Sequence, residues 1–146
     1  MTAVWRSIFL AVCFGIILAI FSIDLFAAEP ASIKVQLWNK GGTMGLTMDK
    51  TSVPSGPVEF EITNTSKNTM HEFLIAPWKG SLTSLPYDKS ESQVAEGKVP
   101  GLQGQEDMKP GTQTTLRLVL KPGSYIVFCN QPGHYKMGMY AHLNVS

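Results

Sequence analysis

Charge is scarce in this 146-residue chain, and what there is balances. Twelve Lys+Arg stand against eleven Asp+Glu, a formal charge of +1, and no run of five or six like charges occurs. A nucleic-acid binder needs a basic stripe, so nucleic acid is not an expected partner and the scattered lysines read as solvated surface. Cysteine is scarcer, with two residues, which excludes a disulfide framework. Histidine is limited to three. No internal repeat is visible, and the length has room for one domain with an N-terminal extra.

That extra is the one long apolar run. Arg6 is the only charge before Ile8–Ile23, Asp24 breaks the run, and Ala27-Ala28-Glu29-Pro30 follows. A basic start, an apolar stretch and small residues make a secretory signal. Phe26 stands where cleavage favours a small residue, and Ile8–Ala28 is nearly long enough to span a bilayer. Residues 1–28 are therefore read as a signal peptide or an N-terminal membrane anchor (through residues 8–28), and 29–146 as an exported domain, periplasmic or otherwise extracytoplasmic. Leu10-Ala11-Val12-Cys13 faintly resembles a lipoprotein box, but too little apolar sequence precedes it. Cys129 is then the lone cysteine of the exported part. An unpaired cysteine there points to an intermolecular bridge, a reactive thiol or a metal ligand.

From residue 29 onward the apolar pattern has period two. Ile33, Val35 and Leu37 alternate with Lys34 and Gln36; Val58, Phe60 and Ile62 with Glu59 and Glu61; Leu116, Leu118 and Leu120 with Thr115 and Arg117. Each run suits a strand with one face on a core and one in water. Gly123–Cys129 is apolar on both parities, as in a more central strand. Turn signals at Pro54–Pro57, Lys121-Pro122-Gly123 and Pro132-Gly133 separate the runs. About seven short strands predict an all-β fold, a Greek-key antiparallel β-sandwich, with a closed barrel as the alternative. Pro77–Thr112 is a long polar exception without sustained alternation, with one short helix expected around Ser90–Glu96.

The chemistry lies near the C-terminus, in Cys129-Asn130-Gln131-Pro132-Gly133-His134-Tyr135-Lys136-Met137-Gly138-Met139. A strand delivers a cysteine, a Pro-Gly turn returns a histidine five residues later, and a methionine precedes the last strand. Far upstream, His71 opens another apolar run. One thiolate, two imidazoles and a weak thioether are the donors of blue-copper electron-transfer sites. Thiolate and thioether favour Cu(I), while imidazole accommodates both Cu(I) and Cu(II), so one donor set serves both oxidation states. By strand parity His71 shares a side with Phe73 and Ile75 while Glu72 points away, and Met139 shares the apolar side of Ala141, Leu143 and Val145. Met137 competes with Met139 by spacing alone. His142 has the opposite parity and is expected in solvent. Met44, Met48, Met70 and Met108 form no tight cluster and read as ordinary fillers.

This loop resembles that of the cupredoxin (plastocyanin/azurin) superfamily, with a Cys–His spacing more similar to rusticyanin-like members than to plastocyanin. Gly123–Cys129 likewise resembles the family's Gly-x-Tyr-x-Phe-x-Cys strand, with Val127 where an aromatic is common. The resemblance covers roughly residues 32–145. It implies a cupredoxin-like sandwich and one copper ion, Cu(II)/Cu(I), held by His71, Cys129, His134 and Met139. It also implies a monomeric one-electron carrier that docks redox protein partners transiently near His134, with Pro132, Tyr135 and Met137 as an apolar patch around it, and no enzyme activity. Many members place Asn after the upstream histidine, where this chain has Glu72. The alternative from another class is a periplasmic copper-handling protein, for buffering, delivery or resistance, with the same donors. A copper oxidase or nitrite reductase needs several more histidines than His142 supplies.

Overall fold

The computed structural model describes residues 29–146; the expected signal or anchor over 1–28 lies outside the described residues. Strands β1 (Ala31–Lys40), β2 (Thr43–Met48), β4 (Gly56–Asn64) and β9 (Gln113–Leu120) form one sheet in the order β2-β1-β4-β9. Strands β3 (Ser52–Val53), β5 (His71–Pro77), β8 (Gln103–Met108), β10 (Gly123–Phe128) and β11 (Tyr140–Val145) form the other, in the order β3-β11-β10-β5-β8. A small ribbon pairs β6 (Tyr87–Asp88) with β7 (Gln93–Val94).

Alternation places the core between the two sheets. Ile33, Val35 and Leu37 of β1 and Val58, Phe60 and Ile62 of β4 face Phe73, Ile75, Val127 and Leu143 across it, all buried. Phe60 and Phe73 meet across the sandwich with ring centroids 5.0 Å apart. β10 is apolar on both parities because both of its faces are covered: Tyr125 and Val127 lie in the inter-sheet core, and Ile126 and Phe128 in a second cluster on the opposite face.

Two expectations need correction. The sheets are mixed rather than antiparallel throughout, because β1 pairs β4 in parallel and β11 pairs β3 in parallel. After the β1–β2 hairpin the chain crosses to the other sheet at β3 and re-enters the first beside β1 as β4. Alternation marks the buried face of a strand but carries no information about its direction. The helix expected around Ser90–Glu96 is instead a turn, then β7, then one 3₁₀ turn at Glu96–Lys98. The Asp88 carboxylate accepts from the Ser90 N–H at 2.8 Å and the Ser90 hydroxyl at 2.5 Å. Such an Asx turn offers the backbone an alternative to helix.

The 77–112 segment, read from sequence as lacking sustained alternation, contains β8 of the second sheet, and residues 78–102 supply a third layer. Leu85, Val94 and Val99 bury themselves against Leu74, Ala76, Ile126 and Phe128, on the outer face of the second sheet. No helix among the described residues is long and apolar enough to cross a membrane.

Candidate metal centre

Three polar side chains come together at one end of the second sheet. His71 is the first residue of β5 and is fully buried; Cys129 directly follows β10 and is fully buried. β5 and β10 are hydrogen-bonded neighbours whose register ends at Leu74–Phe128; Cys129 lies one residue and His71 three residues beyond that pair, at the same end of the sheet. Past that point the Glu72 N–H has no strand partner and donates to Cys129 Sγ at 3.2 Å.

The Pro132-Gly133 turn brings back His134. Gly133 has φ +82° and Gly138 φ +94°, left-handed backbone that glycine adopts without a Cβ clash. Between them His134 N–H donates to Gln131 O at 2.9 Å and Met137 N–H to Gly133 O at 3.1 Å. The loop is closed by Cys129 N–H donating to Met139 O at 3.0 Å, which sets Met139 beside the cluster. Met139 is fully buried in the inter-sheet core, whereas Met137 is 54% exposed. His142 is exposed, its Nε2 2.6 Å from Ser124 Oγ.

The inward atoms form a small triangle. His71 Nδ1 and His134 Nδ1 are 3.2 Å apart, Cys129 Sγ is 3.3 Å from His134 Nδ1, and Sγ is 3.8 Å from His71 Nδ1. A point equidistant from atoms so spaced lies about 2.0 Å from each, close to the bond lengths of a first-row metal to nitrogen and sulfur. These three residues are the one cluster of metal-donor type among the described residues.

The protonation states suit a metal. Burial, and secondarily repulsion from His134, lowers the His71 pKa to about 4. Burial lowers His134 as well. Both imidazoles are therefore neutral donors at neutral pH. Burial pushes the Cys129 thiol up to about 12 against the Glu72 N–H bond that lowers it, so binding a cation there must displace the thiol proton. Ser66 Oγ sits 2.9 Å from His71 Nε2; in the tautomer that carries its proton on Nε2, Ser66 accepts that proton and the Nδ1 lone pair is left for a metal. Nε2 of His134 meets no such partner among the described residues, and His134 is 8% exposed against 0% for His71.

Glu72 departs from expectation. It does point to the outer face, away from His71, but that face is covered and Glu72 is buried. Gln131 Nε2 donates to its Oε1 at 2.6 Å, while Oε2 is without a partner, and burial raises its pKa. Three residues near the cluster escaped the sequence reading. Ser66 is one; Asn64, fully buried, shapes the loop that carries it by donating to Thr69 O and Met108 O. Asn130 is the third. Their partners lie two to 44 residues away, and the distant ones are set by the tertiary fold rather than by a short motif.

A family profile described as copper binding proteins, plastocyanin/azurin family, matches residues 33–146. The chain is a cupredoxin. Its fold is also that of solved cupredoxin structures at low identity. Dithionite-reduced auracyanin from Roseiflexus castenholzii is 22% identical at TM-score 0.58, over 80% of this chain and 98% of that one. Rusticyanin from Thiobacillus ferrooxidans is 19% identical at TM-score 0.59, over 81% and 79%. Auracyanin B is 18% identical at TM-score 0.54, over 81% and 91%. No curated protein sequence matches. As a cupredoxin the chain takes one copper ion in a type 1 site and is a blue copper electron-transfer protein.

Proposed function

We propose that His71, Cys129 and His134 would hold the copper, that Met139 would be the weak fourth donor, and that the protein carries single electrons between extracytoplasmic redox partners. The observation that carries the reading is the triangle of Sγ and two Nδ1 atoms, 3.2 to 3.8 Å on a side. The bound copper supplies the one-electron couple, Cu(II)/Cu(I). The chain's residues keep its surroundings alike in both states: the Glu72 N–H directs a hydrogen bond at Sγ, Ser66 fixes the His71 ring, and the core around Met139 excludes water.

His134 is the electron port in this reading. It is the more exposed histidine, and Pro132 and Met137 lie exposed in the same loop, whereas Tyr135, expected beside them, is buried in the outer cluster. An apolar rim of this kind suits brief contact, because redox encounters use small interfaces. The carrier acts as a monomer and turns over no substrate. Export is the role proposed for residues 1–28, as a signal or anchor.

A visible spectrum of residues 29–146 titrated with Cu(II) tests the ligand set. An intense thiolate-to-copper band saturating at one copper per chain is expected, and a colourless complex would remove Cys129 from the set. Met139→Leu is expected to keep the band and raise the reduction potential, since a donor to Cu(II) is lost. Met137→Leu is expected to change neither; the opposite pattern would reassign the fourth donor.

A further inference from the structure

Between Cys129 and the turn that carries His134 lies Asn130, which is 2% exposed although neither ligation nor the core requires an amide there. Its side chain is fully engaged. Oδ1 accepts from Val94 N–H at 2.6 Å, and Nδ2 donates to Val94 O at 3.1 Å and to Glu96 Oε1 at 2.7 Å. The amide thus pairs with Val94 as another peptide unit would in a sheet. Two more bonds tie the same stretches together. Gln93 Nε2 donates to Asn130 O at 2.7 Å, and Gly133 N–H donates to Ser92 O at 2.7 Å. Ser92 has φ +56°, a left-handed conformation unusual for serine. Farther along, Tyr135 Oη donates to Leu82 O at 2.7 Å and accepts from Leu85 N–H at 3.1 Å.

We infer that Asn130 is a positioning residue for the copper, through which the Ser92–Glu96 stretch fixes the Cys129–His134 loop in its ligating arrangement before the metal arrives. The inference rests on the carrier reading above. On its N-terminal side Cys129 is held by the β5–β10 ladder; on its C-terminal side no ladder continues, and the Asn130 amide takes over that task. With both flanks fixed, Sγ and His134 Nδ1 keep their 3.3 Å separation without help from the ion. A site held in this way changes little when an electron arrives or leaves.

Asparagine is the side chain that can do this. Aspartate keeps the acceptor for the Val94 N–H but loses both donated bonds and sets a second carboxylate against Glu96. Adding Glu96→Gln to Asn130→Asp returns one of those bonds with donor and acceptor exchanged. Val99→Ala is the comparator: it removes packing from the outer layer and touches none of the bonds to the loop.

The deciding experiment measures amide hydrogen exchange in the copper-free protein, then the absorption band and reduction potential after loading. Asn130→Asp is expected to speed exchange at Gly133 and His134 at least tenfold. It should also shift the band and lower the potential, as Cu(II) relaxes in a looser loop. The double variant should reverse both changes, and Val99→Ala should produce neither. Unchanged exchange at Gly133 and His134 in Asn130→Asp would overturn the inference, as would a shift of equal size in Val99→Ala. If the unaltered protein gave no thiolate band, the carrier reading would fall, while exchange in the copper-free chain would still decide whether Asn130 holds the loop.

Discussion

The two sheets share one core but treat their outer faces in opposite ways. On the β2-β1-β4-β9 sheet the outer face carries Lys34, Gln36, Glu59, Glu61 and Arg117, half-buried or exposed. On the other, Leu74, Ala76, Ile126 and Phe128 lie under the 77–112 segment with at most 1% exposure. His71, Cys129 and Met139 all stand at strand ends of the covered sheet. A general need for stability would favour covering either sheet. Covering the one that bears the donors fixes their strands from both sides and keeps water from the backbone behind the site.

The comparison can be broken at several points. Cys129→Ser should have the largest effect, removing nearly all of the intense visible absorption while the sandwich persists, since serine fits the same space; circular dichroism and the copper spectrum check both halves. Next comes Phe128→Ala on the covered face, expected to cost about 3–5 kcal/mol in a denaturant titration. A comparable loss from Thr115→Ala on the open face would erase the asymmetry.

Acid should also act through the covered sheet. The folded His71 pKa, about 4, lies below the ordinary 6.5. Between those values the unfolded chain binds a proton that the folded chain does not. The copper-free protein is therefore expected to lose stability as pH falls from 6.5 toward 4, with no further loss from this group below that. Melting temperatures across that range, compared with those of His71→Ala, test it; an equal slope in both proteins would assign the loss elsewhere. The smallest effect belongs to the open sheet. Arg117 Nε lies 2.7 Å from Glu59 Oε2, with the arginine side chain 74% exposed, and Arg117→Ala should cost at most about 1 kcal/mol.

The same asymmetry governed what could be read from sequence. Ile33-Val35-Leu37 and Val58-Phe60-Ile62 announce their strands because water on one face enforces alternation. β5 and β10, covered on both faces, give apolar runs in which parity says less, so Glu72 was expected away from the core yet not buried. The Cys129…His134…Met139 spacing is local and was legible; the structure brings Sγ and Nδ1 within 3.3 Å and buries Met139. The parallel pairing of β1 with β4 was not legible, because it depends on where the chain crosses between sheets. Ser66 and Asn130 were not legible either, since a serine or asparagine in a loop has many uses and its partners are chosen by the tertiary fold.

The pairing of β5 with β10 also decides when the donors meet. His71 and Cys129 are 58 residues apart in sequence and become neighbours only once the tenth strand has docked. Met139 takes its place through the pairing of β10 with β11 and the bond from Cys129 N–H to its carbonyl. An unfolded chain offers Cys129, His134 and Met139 from one short stretch but holds His71 apart from them, so the triangle of Sγ and two Nδ1 atoms exists only once β5 and β10 are paired. Selection among metal ions by all three donors together is therefore a property of the folded sandwich and not of the unfolded chain.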